Sequence, residues 1–175
     1  YKAMMDELSI RPLEVKDIPL IADYWLKSKP DFLEGMGVDL SKLPSREGLT
    51  NGLTAQLTKS IEDRQTYALI WMFNNKPIGH CNVNPFVFGE EAYMHLHMWN
   101  SNNRQKGMGE KLVSLSVEHF FEQLKLQRLI SEPYAQNRAP NKTLAKLKFN
   151  KVKTYRTIPG SLNFEQEVNR WELLR

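Results

Sequence analysis

The segment from Ala92 to Trp99 has strand character and runs into Arg104-Gln105-Lys106-Gly107-Met108-Gly109. Glu110 to Leu124 follows with apolar residues at helical spacing. A strand that ends in a glycine-punctuated loop and opens a helix presents several backbone N–H groups at one point. With the positive end of the helix dipole they form a site for phosphate oxygens. Gly107 and Gly109 lack the β-carbon that would hold a bulky anion off the backbone. This segment therefore predicts a phosphorylated cofactor.

The 175 residues suit one domain over 1–175 with a single core. No apolar run approaches the roughly 18 residues of a membrane span. Cys81 is the sole cysteine, which excludes an internal disulfide and a cysteine metal cluster. It reads as a half-buried strand residue. With no secretory-type apolar stretch in Tyr1–Asp6, a cytoplasmic location is expected. The net charge of +4 is a mild excess. Lys and Arg read as scattered, which argues against a dedicated nucleic-acid reader.

Ser9–Leu13 alternates as a first strand, and Asp17 is placed to cap a helix with Pro19 in its first turn. Asp31–Pro44 reads as a loop or short broken helix. Ser45 opens a second helix to about Ile61, with Leu49, Leu53, Leu57 and Ile61 at every fourth position. Thr66–Phe73 and Ile78–Asn84 form a hairpin across Asn74-Asn75. Pro85–Glu91, with Phe86 and Phe88, reads as a loop that covers an acceptor channel or a dimer contact. After the motif strand and helix come a strand over Arg128–Tyr134 and a helix from Pro140 to about Lys148. Two strands near Lys151–Thr157 and Asn169–Leu174 end the chain. The order is that of an α/β protein with a mixed sheet and helices on its faces.

Strand, Arg-x-x-Gly-x-Gly, helix is a weak motif alone. A second block follows Leu129–Tyr134: Asn137, Asn141, and Phe149 closing a short helix. Together, in this order, they resemble the Gcn5-related N-acetyltransferase (GNAT) superfamily, and within it the ribosomal-protein N-terminal acetyltransferases. The resemblance spans Ala92–Phe149 most firmly. It implies a mostly antiparallel sheet of about seven strands, splayed at the fourth and fifth, with helices on both faces. It implies acetyl-CoA as cosubstrate and no metal. The pyrophosphate would be held by amides of Gln105, Lys106, Gly107, Met108 and Gly109, reaching Glu110, with Arg104 and Lys106 beside the phosphates. Met98, Trp99 and Asn100 would pair with the pantetheine arm, and Asn137 and Asn141 would face it. Three positions depart from the family: Pro140 for serine, Lys148 for the glycine before Phe149, and Leu144 for the tyrosine that protonates the leaving thiolate.

Acetyl transfer to an amine requires a neutral, aligned amine and a polarised carbonyl. The amide of Met98 or Trp99 is the expected carbonyl donor. His95 and His97 share one sheet face, roughly 7 Å apart, and either can take a proton; His97 lies nearer the splay. Glu132 is the other candidate base, and Tyr155 is the candidate replacement for the missing acid. Trp25, Phe32 and Trp71 are candidate pocket walls or core. The partners expected are acetyl-CoA and an amine, either a small molecule or a protein N-terminus, with a homodimer as a further expectation. The alternative is an inactive member of the fold that binds acyl-CoA or a partner protein.

Overall fold

The computed structural model describes residues 7–100 and 107–175. Arg104, Gln105 and Lys106 lie outside the described residues. The elements are β1 (Leu8–Pro12), α1 (Ile18–Lys27), α2 (Pro30–Gly35), α3 (Arg46–Leu57), β2 (Tyr67–Phe73), β3 (Lys76–Val87), β4 (Glu91–Met98), α4 (Met108–Gln123), β5 (Arg128–Ser131), α5 (Arg138–Lys146), β6 (Asn150–Thr157) and β7 (Gln166–Leu174). The strands form one sheet in the order β1-β2-β3-β4-β5-β7-β6. Every pairing is antiparallel except β4 with β5.

Alternation along the strands sorts side chains onto two faces. Leu69, Trp71, Cys81, Val83, Ala92, Met94, Leu129 and Trp171 point to one face and pack with Leu112, Val113 and Phe120 of α4 and Leu144 of α5. Ala68 and Ile70 point the other way, against Ile21 and Trp25 of α1 and Leu53 and Leu57 of α3. On that second face Tyr93, His95, His97, Arg128, Glu132, Arg170 and Glu172 bring polar side chains around the buried Ile130 of β5 and Val168 of β7. Gly79 lets β3 and β4 close up; a Cβ there would sit 2.5 Å from the His97 carbonyl oxygen. Asn74 and Asn75 take φ of 49° and 65°, so the hairpin turn has both central residues left-handed, as the twist of the strands favours.

Several boundaries move for identifiable reasons. Asp17 occupies the N-cap of α1, but its carboxylate does not cap it. It is buried and takes hydrogen bonds of 2.7 and 2.8 Å from Arg11 and one of 2.9 Å from the Glu14 N–H. Burial works to raise its pKa; these three donors hold it below the usual carboxylate range. Ser45 does cap α3, accepting from the Gly48 N–H, yet the helix stops at Leu57 and Ile61 begins a separate 3-10 turn. The Phe86 region is strand rather than loop: β3 runs on past a bulge, and Phe86 is buried in the core with Phe88 packed against it. Cys81 is fully buried, which pushes its thiol pKa up. Pro140 is the third residue of α5, still in the first turn, where no backbone N–H partner is needed.

The end of α5 shows how the chain copes with the missing glycine. Phe149 N–H bonds to Leu144 O at 3.1 Å and Lys148 N–H to Ala145 O at 3.2 Å, the paired bonds of a Schellman motif. Leu144 and Phe149, the apolar pair that accompanies it, both lie in the core. Lys148 holds the left-handed position at φ 67°, where its Cβ is disfavoured. Lys148→Gly is expected to stabilise the fold by about 0.5–1 kcal/mol, read as a Tm raised by roughly 1–4 °C. An unchanged or lower Tm would show that the residue is not strained there.

Candidate active site

β4 and β5 pair over only three residues, Glu91–Tyr93 with Arg128–Ile130. β4 continues five residues further, to Met98, while β5 stops at Ser131. The Trp99 N–H donates to Ile78 O at 2.9 Å, continuing the β3 ladder. By alternation the amides of His97 and His95 also face β3, and those of Met98, Leu96 and Met94 face the diverging side. The Ser131 hydroxyl bonds to Met94 O at 2.9 Å at the point where the strands part. Trp99 N–H is thus already committed to β3, and Met98 is the member of the expected pair whose amide faces the gap. α4 begins at Met108. Gly107 takes φ 73° at its N-cap, and a Cβ added at Gly107 or Gly109 would meet no atom of the described residues within 4 Å. An open, glycine-lined start of a sixteen-residue helix fits a diphosphate, and the splayed strand edge fits an extended amide-bearing arm. Met108 is instead buried in the core, and Glu110 reaches across to Lys146 at 3.8 Å.

A cleft of about 620 Å³ opens on the polar sheet face, between α1, α3 and the segment 159–163. His80, His95, His97, Glu132, Tyr134 and Asn137 line it. Among its described lining residues Glu132 is the one carboxylate, and none is a lysine or arginine. Glu132 is held from behind: its Oε2 accepts from the Tyr155 hydroxyl in a short hydrogen bond and from Arg170 at 3.3 Å. Both partners fall on one oxygen, and no buried side-chain oxygen among the described residues lacks a partner, so Oε1 is the accessible oxygen of a carboxylate that lines the cleft. Arg170 also contacts Glu172 at 3.1 Å and the Tyr93 hydroxyl at 3.4 Å, and Glu172 pairs with Arg128. Burial and the hydrogen bond to Glu132 both raise the Tyr155 pKa. Tyr155 does not line the cleft; it stands one step behind Glu132 and its hydroxyl is spent on it.

The histidines form a second group. His97 and His80 are cross-strand neighbours, stacked with centroids 4.6 Å apart. Trp99 Nε1 donates to His80 Nδ1 at 2.7 Å, which fixes the neutral tautomer with its proton on Nε2. His97 Nδ1 lies 2.9 Å from the Tyr24 hydroxyl, which also donates to Met36 Sδ at 3.3 Å. Burial lowers the His80 pKa to about 3, and burial with the neighbouring His80 and His95 holds His97 well below 6.5. His97 is therefore a weak proton acceptor at neutral pH. His95 Nε2 is bonded to Asn84 O at 2.8 Å.

Asn137 sits at the N-cap of α5 and lines the cleft. Asn141 is fully committed. Its amide donates to Tyr134 O and Asn137 O and accepts from Asn169 Nδ2 and Trp171 Nε1, all within 3.1 Å. It fastens the start of α5 to β7 and has no donor left for a cofactor arm. Leu144 is wholly buried, so the position of the familiar tyrosine faces the core. Trp25 lines the cleft; Trp71 is core, donating to Ser116; Phe32 packs on Tyr24. Sequence reasoning missed His80, Tyr24, Tyr134 and Arg170. The first was hidden beside Cys81, and Arg170 becomes meaningful only when β7 is laid beside β5. Among the described residues no group of three His, Cys, Asp or Glu side chains is arranged to hold a metal, and no helix is long and apolar enough to cross a membrane.

The family model for the acetyltransferase (GNAT) domain matches residues 7–150. No curated protein matches the chain by sequence. Solved structures share the fold. A spermidine N-acetyltransferase from Vibrio cholerae, in complex with CoA and spermine, aligns with a TM-score of 0.77 at 15% identity, covering 95% of each chain. An acetyltransferase from Salmonella typhimurium that modifies the N-terminal serine of ribosomal protein L7/L12 gives 0.76 at 15% identity, covering 96% of this chain and 95% of that one. The aminoglycoside acetyltransferase AAC(6')-Ib with coenzyme A gives 0.73 at 16%, covering 97% and 95%.

The stacked histidines make stability depend on pH. His80 is neutral when folded down to about pH 3, whereas the unfolded chain takes up its proton near pH 6.5. Below that value the unfolded state binds more protons, so stability falls as pH falls. The Tm is expected to drop between pH 7 and pH 4, and a His80→Gln variant should show a shallower drop. Equal slopes in the two proteins would contradict the assignment.

Proposed function

Because the chain belongs to the acetyltransferase (GNAT) domain family, we propose that it transfers acetyl from acetyl-CoA to the terminal amine of a polypeptide by direct attack, as one domain spanning 1–175. The observation that carries this reading is the three-pair β4–β5 contact, which opens onto a cleft holding a single carboxylate. Acetyl-CoA supplies an activated acyl group as a thioester. The residues suited to hold it are Gly107 and Gly109 at the start of α4, the β4 edge from Leu96 to Met98, and Asn137. The Met98 amide is the donor suited to the developing negative charge on the acyl oxygen.

Glu132 is the base of this proposal. Tyr155 and Arg170 pin its Oε2 and aim Oε1 at the cleft, where it receives the amine proton directly or through water. An α-amino group titrates near pH 8, so little help is needed to neutralise it. The acid is Tyr134, which lines the cleft on the β5 side and makes no side-chain hydrogen bond to another described residue. His97 and His80 shape the pocket rather than move the proton.

The lining argues for the acceptor class. A polyamine or aminoglycoside brings several cations, and a wall with one carboxylate leaves all but one uncompensated. A peptide N-terminus brings one cation followed by amide groups. The side chains of Asn82, Asn84 and Gln65 offer partners for those groups. A reducing setting such as the cytoplasm suits the unpaired Cys81.

Thiol release is to be measured with acetyl-CoA and a panel of short peptides, spermidine and an aminoglycoside. Peptides with free N-termini are expected to turn over with the higher kcat/KM. CoA binding with no turnover of any amine would overturn the enzymatic reading, and faster turnover of spermidine would overturn the acceptor class. Glu132→Gln should lower kcat about 100-fold with CoA affinity unchanged, and an unaltered kcat would remove it as the base.

A further inference from the structure

The basic residues are not scattered. Between Glu132 and Glu165 the chain holds seven of its 24 lysines and arginines and no acid, so the remainder of the protein is net acidic. Arg138, Lys142 and Lys146 lie on α5, Lys148 in the turn, and Lys151, Lys153 and Arg156 on β6. Arg156 meets Glu165 at 3.4 Å and Lys146 meets Glu110 at 3.8 Å; Lys148, Lys151 and Lys153 make no ion pair with a described residue. All three are exposed.

β6 is an edge of the sheet, with β7 on one side and no strand of the described residues on the other. One lysine is enough to guard an edge against stray strands. A run of cations without acids does something more selective: it repels basic or neutral strands and favours an acidic one. Val152 and Ile158, 53% and 55% exposed, add apolar surface that a strand's side chains can cover and a phosphate backbone cannot. The aromatic of β6, Tyr155, has its hydroxyl on Glu132 and Lys153 over its ring at 4.3 Å, so it is no stacking platform for a nucleic-acid base. The edge also leads to the cleft. β6 ends at Thr157, and residues 159–163 that follow form the cleft wall.

From this juxtaposition we infer that β6 is the docking edge for an acidic, extended segment of the acceptor polypeptide, which adds as a further strand and leaves its N-terminus in the cleft. The acceptor then runs away from the cleft toward Asn150, antiparallel to β6. The inference rests on the proposed polypeptide acceptor, and its test separates the two. The probe is a labelled peptide of eight residues, the length of β6, with Glu at every second position and an acetylated N-terminus, so that it can dock but not react. Fluorescence anisotropy is expected to show binding that weakens about tenfold in a Lys151→Gln/Lys153→Gln variant, and similarly when alternate peptide amides are N-methylated. Lys148→Gln/Lys151→Gln, away from the Tyr155 ring, serves as the second variant if the first loses CoA affinity. With a free N-terminus added, the acidic peptide should exceed its own first four residues in kcat/KM by about tenfold in the wild type and not in the variants. No binding of the blocked peptide, equal binding to the variants, or indifference to N-methylation would overturn the docking edge, whatever the turnover assay shows. Tighter binding of a single-stranded RNA of equal charge would overturn the choice of partner. Docking of the blocked peptide without turnover of any free peptide would instead refute the acceptor reading alone.

Discussion

The separation of β4 from β5 after three residue pairs is the constraint from which the functional geometry follows. A parallel pair held along its whole length would bury the backbone of Leu96 and Met98 in a ladder. Here β5 stops at Ser131, whose hydroxyl takes the last β4 carbonyl it can reach, and the chain turns away through Pro133. The inner edge of β4 is left facing a gap, with the start of α5 lining the same cleft. β3 holds β4 from behind, through a register that runs from Val83 to Gly79 and on to the Trp99 amide. The gap is thus a feature of a rigid sheet rather than of a loop.

The same face carries two polar systems that differ in kind. Glu132, Arg170, Tyr155 and Glu172 form a charged network in which each buried ion has an opposite partner, the condition under which buried charge is tolerated. His80, His97, Tyr24 and Trp99 form a neutral one, held by stacking and by a Trp99 hydrogen bond that needs an uncharged His80. The first system presents a carboxylate to the cleft. The second gives it a wall that does not carry charge. Their separation explains why a single carboxylate, and not the histidines, is the proton acceptor of the proposed chemistry.

Much of this was legible before any coordinates. The strand, glycine loop and helix from Ala92 onward set the β4–α4 unit, and the Asn137–Phe149 block set α5, because both depend on local spacing. The α/β class, the seven strands and the acetyltransferase family follow from them. What escaped depends on distant pairing. Glu132 and Tyr155 were separate candidates until β7 and β6 brought the hydroxyl onto the carboxylate. Asn141 matched a cofactor position by spacing, yet β7 supplies Asn169 and Trp171 to saturate it. Phe86 looked like loop because Pro85 precedes it, and the bulge in β3 absorbs that proline. The basic run from Arg138 to Arg156 was visible but diluted when charge was counted over the whole chain.

The account's central claim is that the cosubstrate arm pairs with the inner edge of β4 beside the start of α4. Residue-resolved amide exchange with and without CoA tests it most directly, because the alternation of β4 is a built-in control. Protection is expected to rise at Leu96 and Gly109, and to stay unchanged at His95 and His97, whose amides already face β3. Protection that ignores this alternation, or that leaves Leu96 and Gly109 untouched while CoA is bound, would contradict it.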